Sequence, residues 1–277
     1  MSEQVSISSE WLSGIRAFIL DMDGVLYRGN AMIPEVPRFL DALAAGDIAY
    51  MMATNNATAT PEQYIDKLGG MGIEVEPGQI VTSALATGTY LRDRYPSGSK
   101  AYVVGMDALR DAVFGDGHFV EDTRNVDVVV SGADFRLTYD SLKTACLCIR
   151  AGADYVATNA DTTFPSEEGL IPGSGAIVAA LVASGGKEPT IVGKPSPVMV
   201  ETCLKMLGTS AEETIMLGDR LDTDILAGER AGTHTVLVTT GISNVTDIEA
   251  EEIYPDVVVP TLDAISELLE QLALARR

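Results

Sequence analysis

The chain has 277 residues, 46% of them hydrophobic, enough for about two domains with a real buried core. Its formal charge of −21 and pI near 4.3 argue against a nucleic-acid partner, because phosphate backbones recruit basic patches. No apolar run reaches the roughly 18 residues of a membrane span, and three cysteines (146, 148 and 203) form no disulfide framework or zinc spacing.

The N-terminal Met-Ser-Glu-Gln-Val-Ser has neither a basic start nor a hydrophobic signal core. With the cysteine usage, this points to a cytoplasmic protein with no membrane partner. Trp11 is expected to pack close to the N-terminus. The first predicted strand is Ala17–Leu20, a brief apolar run ended by Asp21-Met22-Asp23-Gly24-Val25. Two carboxylates at i and i+2 beyond a strand's carboxyl end occupy the position where open α/β sheets bind ligands. They repel one another, and a divalent cation would offset that cost; oxygen ligands suit Mg²⁺. The alternative is an ordinary polar strand-to-helix turn.

Helical periodicity follows at 35–45, and then the strand Ile48–Ala53, whose Met51-Met52 pair reads as core. That strand ends in Thr54-Asn55-Asn56. A helix over 61–71 is opened by Thr60 as N-cap and Pro61 at the first helical position. Ile80–Thr82 is the next strand. Residues 83–188 carry a βα alternation of their own. Strands are predicted at Ala101–Val104, Val126–Val130 and Asp154–Thr158, with helices near 84–94, 107–113, 138–150 and 174–184. This predicts a second α/β unit inserted into a core made of residues 1–82 and 189–277. Inside it, Thr158-Asn159-Ala160-Asp161 leads into a loop over 162–172. Gly173-Ser174-Gly175 then opens a helix, without the third glycine of a dinucleotide cradle.

The core resumes with Thr190–Val192, followed by Gly193-Lys194-Pro195-Ser196-Pro197, and with a helix over 197–207. Thr214–Leu217 is followed by Gly218-Asp219-Arg220-Leu221-Asp222-Thr223-Asp224 and a helix over 222–231, with Asp222 as its N-cap. Thr235–Val238, Asp256–Val259 and a helix over 261–274 complete the chain. The alternation predicts an α/β fold with a doubly wound, mostly parallel core sheet. The strands ending at Leu20, Ala53, Val192 and Leu217 are expected in that one sheet, so that their loops converge on a single crevice. The histidines, His118 and His234, form no paired ligand pattern, so no zinc hydrolase site is expected.

Asp21-x-Asp23, Thr54, Lys194 and Gly218-Asp219-x₄-Asp224, in that order, resemble the four motifs of the haloacid dehalogenase-like hydrolase superfamily. Asp-Met-Asp-Gly-Val-Leu-Tyr, Thr-Asn-Asn, Gly-Lys-Pro-Ser-Pro and Gly-Asp-Arg-Leu-x-Thr-Asp-Ile look like its NagD-like or 4-nitrophenylphosphatase-like subgroup. That subgroup has a Rossmann-like core and a large α/β cap inserted between the second and third motifs. The resemblance implies a phosphatase in which Asp21 attacks phosphorus and becomes an aspartyl-phosphate. It implies Mg²⁺ bound by Asp21, Asp219 and the backbone carbonyl of Asp23, leaving the Asp23 carboxyl as general acid and then base. Asp224 is assigned to the metal's outer shell or to Lys194. Thr54, Asn55 and Asn56 would hold phosphoryl oxygens, and Lys194 would supply positive charge in the transition state.

Asn159 and Asp161 would touch substrate or core, or else only cap turns; Phe164 and Pro165 would wall the leaving group. The implied partner is a small phosphomonoester, namely a sugar, glycerol, nucleotide or aryl phosphate, and a homodimer through the cap is expected. The competing readings are a phosphotransferase or mutase with the same intermediate, and a catalytically silent binding protein. The silent reading predicts the loss of Asp21, Asp23 or Asp219, and all three are present.

Six of the 19 cationic residues are lysines, so the acidic surface reflects either a salt-rich cytoplasm or a GC-rich genome that favours arginine. Salt adaptation predicts that the urea unfolding midpoint rises with KCl. A flat series would assign the composition to the genome.

Overall fold

Short helix α1 (Ser9–Leu12) precedes β1 (Ala17–Leu20), which is buried at all four positions and so needs neighbours on both faces. The computed structural model describes residues 8–76, 78–166 and 168–275. The N-terminal hexapeptide read above lies outside the described residues. After β1 comes a hairpin of β2 (Tyr27–Arg28) and β3 (Ala31–Met32), and then α2 (Val36–Ala45), β4 (Ala49–Thr54), α3 (Pro61–Gly70) and β5 (Ile80–Thr82).

The middle of the chain holds α4 (Ser83–Arg92), β6 (Lys100–Val104), α5 (Asp107–Phe114), β7 (Val120–Glu121), β8 (Val128–Ser131), α6 (Tyr139–Arg150) and β9 (Asp154–Ala157). These are followed by β10 (Thr163–Ser166), β11 (Gly169–Pro172), α7 (Ser174–Gly185) and β12 (Thr190–Ile191). The last stretch is α8 (Pro197–Leu207), β13 (Thr214–Gly218), α9 (Leu226–Ala231), β14 (His234–Val238), α10 (Val245–Glu251), β15 (Val257–Val259) and α11 (Asp263–Ala275).

The chain divides into two compact units. The first takes the chain as far as Thr54, then Ile65–Val81 and everything from Lys194 onward. Its six-stranded sheet has the order β15-β14-β13-β1-β4-β5. The register is parallel on both sides of β1: Leu20 pairs with Leu217 of β13 and with Met52 of β4. Helix α2 buries Val36, Phe39, Ala42 and Leu43, and the fully buried rings of Phe18 and Phe39 meet edge to face at 5.8 Å. Met51 and Met52 are core, and Trp11 packs edge-on against His234 at 5.1 Å.

The second unit comprises Asn55–Tyr64 and Thr82–Gly193. Its five-stranded sheet, β12-β9-β8-β6-β7, is parallel throughout. Its core gathers Val104, Val129, Ile149, Tyr155 and Leu181. The stretch expected as a loop over 162–172 contains the antiparallel pair β10–β11. Gly173 and Gly175 form a packed helix start, since a Cβ on either would strike the main chain of Asp161 or Ala160.

The expected membership of the core sheet is corrected at one strand. Thr190–Ile191 pairs with β9 of the second sheet, not with the core sheet. The ladder runs on, as Val192 and Gly193 N–H donate to Ala157 O (3.0 Å) and Thr158 O (2.7 Å). A two-residue strand has no periodicity that could reveal which sheet it joins. Among the described residues no helix is long and apolar enough to cross a membrane.

Phe39 is fully buried against Phe18. Phe39→Ala is expected to cost about 3–5 kcal/mol, the range for deleting a core aromatic, read as a lower urea midpoint at unchanged m-value.

Candidate active site

The parallel register brings three strand ends to one rim of the first sheet. Asp21 extends the ladder one residue past β1, its N–H donating to Leu217 O at 2.9 Å. Asp219 directly follows β13, and Thr54 is the last residue of β4. At Gly24 the chain turns with φ +86°, a conformation natural to glycine. Thr240 Oγ1 donates to Gly24 O at 2.8 Å and ties this turn to the loop after β14.

Lys194 comes to the same place, only 2% exposed. Its ammonium pairs with Asp21 Oδ1 and with Asp224 Oδ1 (2.7 Å), and donates to Ala53 O at 3.0 Å. The bond from Lys194 to Pro195 is cis. Burial works against the ammonium, but the two carboxylates outweigh it and hold its pKa above the ordinary lysine value. Asp224 sits in a π-helical turn, Leu221–Ile225, and its Oδ2 accepts from Arg220 N at 3.1 Å. Both of its oxygens are thus engaged. Asp222 is not the helix N-cap expected from sequence. Its carboxylate pairs with the Arg220 guanidinium at 2.8 and 3.0 Å, because the π-turn begins at Leu221, before it.

Asp219 is 2% exposed. Its Oδ2 accepts from Ile242 N at 2.8 Å, whereas Oδ1 is buried with no hydrogen-bond partner. The backbone closes tightly around it: a Cβ on Gly24 or Gly241 would fall on this carboxylate, and one on Gly218 would fall on Asp224. Asp21, Asp219 and Asp224 offer oxygens within 4.8 Å of one another. Burial first, then the charge of Asp224, pushes Asp21 well above the usual carboxylate range, with Lys194 opposing. The same two causes push Asp219 up to about 7. Three carboxylates face one ammonium, and one buried oxygen has no donor. This donor set fits a hard divalent cation such as Mg²⁺.

Asp23 lies two residues beyond Asp21 and is exposed. Partial desolvation raises its pKa, while the Lys67 ammonium and the Gly29 and Gly24 N–H groups pull it down. Asn55, Asn159 and Asp161 come together in the second unit. Asn55 Nδ2 donates to Asp161 Oδ2 (3.2 Å), and Asn159 Nδ2 to Asn55 O (2.7 Å). The Asn56 carboxamide is bound to the Tyr64 hydroxyl (2.8 Å) and accepts from Thr58 N and Oγ1. Phe164 meets Phe135 edge to face at 5.3 Å.

Sequence reasoning missed the loop after β14. Ser243 N donates to Asp219 O at 3.0 Å, and Ser243 Oγ accepts from Leu221 N at 3.1 Å. The available signal was Thr239-Thr240-Gly241-Ile242-Ser243, a glycine turn at the end of another parallel strand. Lys67 and Tyr27, beside Asp23, were missed as well.

A haloacid dehalogenase-like hydrolase family model matches residues 18–118, and a HAD-hydrolase-like model matches 191–265. The acid sugar phosphatase of Staphylococcus epidermidis is 38% identical over 254 residues, covering 91% of this chain and 98% of its own. Among solved structures, 4-nitrophenylphosphatase from Thermotoga maritima superposes with TM-score 0.87 at 36% identity, covering 93% of this chain and 98% of its own. NagD from E. coli K-12 superposes with TM-score 0.84 at 33% identity, covering 90% and 97%.

The raised Asp219 pKa, about 7 against an ordinary 3.8, has a consequence for stability. Between those pH values the folded chain holds a proton that the unfolded chain has released, so stability without a cation falls as pH rises through that window. A bound cation removes this penalty. Mg²⁺ should therefore raise the melting temperature relative to EDTA more at about pH 8 than at about pH 5. Thermal melts under the four conditions check this, and equal shifts at both pH values would contradict it.

Proposed function

The chain belongs to the haloacid dehalogenase-like hydrolase family and is a phosphatase. From that premise we propose that it is a Mg²⁺-dependent hydrolase of small-molecule phosphomonoesters that works through an aspartyl-phosphate on Asp21, with the second unit as its cap domain. The observation that carries the reading is the buried Lys194 ammonium gripping Asp21 at the strand end, beside Asp219 with its unpartnered oxygen.

Asp21 and Asp219, with the main-chain carbonyl of Asp23, would hold Mg²⁺. The cation supplies the positive charge that lets a carboxylate approach a phosphoryl dianion. Asp224, engaged through both oxygens, serves Lys194 as its holder. Lys194 favours the ionised form of Asp21 and aims it, and its charge offsets the negative charge that grows on the phosphoryl oxygens. Thr54 and the Asn55 amide group hold those oxygens in line.

An Asp21 carboxylate oxygen bonds to phosphorus as the ester P–O bond breaks, and Asp23 gives its proton to the departing alkoxide. Asp23 then takes a proton from water, whose oxygen attacks phosphorus. The Asp21–phosphorus bond breaks, releasing inorganic phosphate and regenerating both carboxyl groups. The raised Asp23 pKa supports the proton-carrying role.

Asp21→Asn removes the nucleophile while keeping nearly the same volume. It should abolish Mg²⁺-dependent phosphate release from 4-nitrophenyl phosphate, a loss of at least about 10³-fold, with the circular dichroism spectrum unchanged. Full turnover in this variant would end the nucleophile assignment.

A further inference from the structure

Lys67 lies on α3 with its side chain half-buried, and its Nζ stands 3.9 Å from the centroid of the Tyr27 ring. Among the described residues no carboxylate lies within 4.0 Å of it. That is unusual in this molecule. Lys100, Lys143, Lys187 and Lys194 each pair directly with a carboxylate. An aromatic face attracts a cation without neutralising it, so the ring fixes the ammonium and leaves its field intact. Tyr27 is itself nearly buried (2% exposed) and is bridged to Asp23. The ammonium acts on one carboxyl in its surroundings, that of Asp23.

This position matters if Asp23 delivers the proton to the leaving oxygen, the reading on which this inference rests. The departing alcohol is then hydrogen-bonded to the Asp23 carboxylate, within the field of Lys67. An acidic alcohol entering a molecule of charge −21 meets repulsion from its surroundings. Lys194 cannot relieve it, being buried and committed to Asp21 and Asp224. Lys67 remains available.

We propose that Lys67 is a specificity-determining residue that favours phosphomonoesters whose alcohol carries a second anionic group, a carboxylate or another phosphate. The charge is held over Tyr27, which is bridged to Asp23, and it rewards a negative group near Asp23 with attraction that a neutral alcohol does not feel.

The test compares 3-phosphoglycerate with glycerol 3-phosphate, which share a skeleton and differ by a carboxylate against a hydroxymethyl group. The readout is the ratio of their kcat/KM values in the wild type, Lys67→Met and Lys67→Arg, with thermal melts to confirm folding. Methionine keeps the stem over the ring but loses the charge, whereas arginine keeps the charge. The wild type should prefer the carboxylate substrate. Lys67→Met should lower the ratio about tenfold, equivalent to about 1.4 kcal/mol, and Lys67→Arg should stay within about threefold of wild type. A Lys67→Met ratio within about twofold of wild type, even with both rates reduced, would mean that Lys67 only supports Asp23 or α3, and overturns the proposal. So would a wild type that prefers the glycerol ester or turns over neither substrate while hydrolysing 4-nitrophenyl phosphate. Loss of phosphate release from all three substrates in the wild type would instead sink the proposed function, and this proposal with it.

Discussion

A fully enclosed ammonium is stable only among opposite charges, and Lys194 has two of them, Asp21 and Asp224, together with the Ala53 carbonyl. Removing one partner of such a buried pair typically costs about 3–5 kcal/mol, because the other is left uncompensated. The Lys194 side chain is therefore locked in by the fold. Yet the group is not balanced: Asp219 adds a third carboxylate, with one oxygen facing no donor. That residual negative charge suits the site to a divalent cation.

The imbalance persists because the scaffold leaves the carboxylates no way to separate. Leu20 is paired in register with both Leu217 and Met52, so the residues that follow these strands emerge side by side. Slipping either neighbour by one position would turn every side chain of that strand to the opposite face of the sheet. Behind Asp219 the main chain of Gly24 and Gly241 leaves no room for even a methyl group, so the carboxylate cannot retreat. Packing, rather than attraction among the acids themselves, holds them together.

Much of this was readable from the residues alone. Ala17–Leu20 is short and wholly apolar, Thr214–Leu217 is apolar after its first residue, glycine turns follow, and both form buried strands at the predicted places. Lys194 and Asp219 stand out because each is one glycine past a predicted strand, and Asp224 because of its spacing from Asp219. What could not be read depends on contacts distant in sequence. The two residues of β12 carry no sign of their sheet. The π-turn that denies Asp222 its capping role is set by packing of Leu221 and Ile225 against Leu237. The Ile242 amide reaches Asp219 across 23 positions of chain. Lys67 carries no sign in the sequence of its seat on the Tyr27 ring, 40 positions away in the chain.

The chain passes between its two units at four places, and two of them, Thr54–Asn55 and Gly193–Lys194, lie inside the signature stretches. Thr54 and Lys194 belong to one body. Asn55, their near neighbour in the second motif, is fastened by Asn159 and Asp161 to the other. An exchange of the second unit would thus leave Asp21, Lys194, Asp219 and Asp224 in place while replacing the partners of the Asn55 carboxamide.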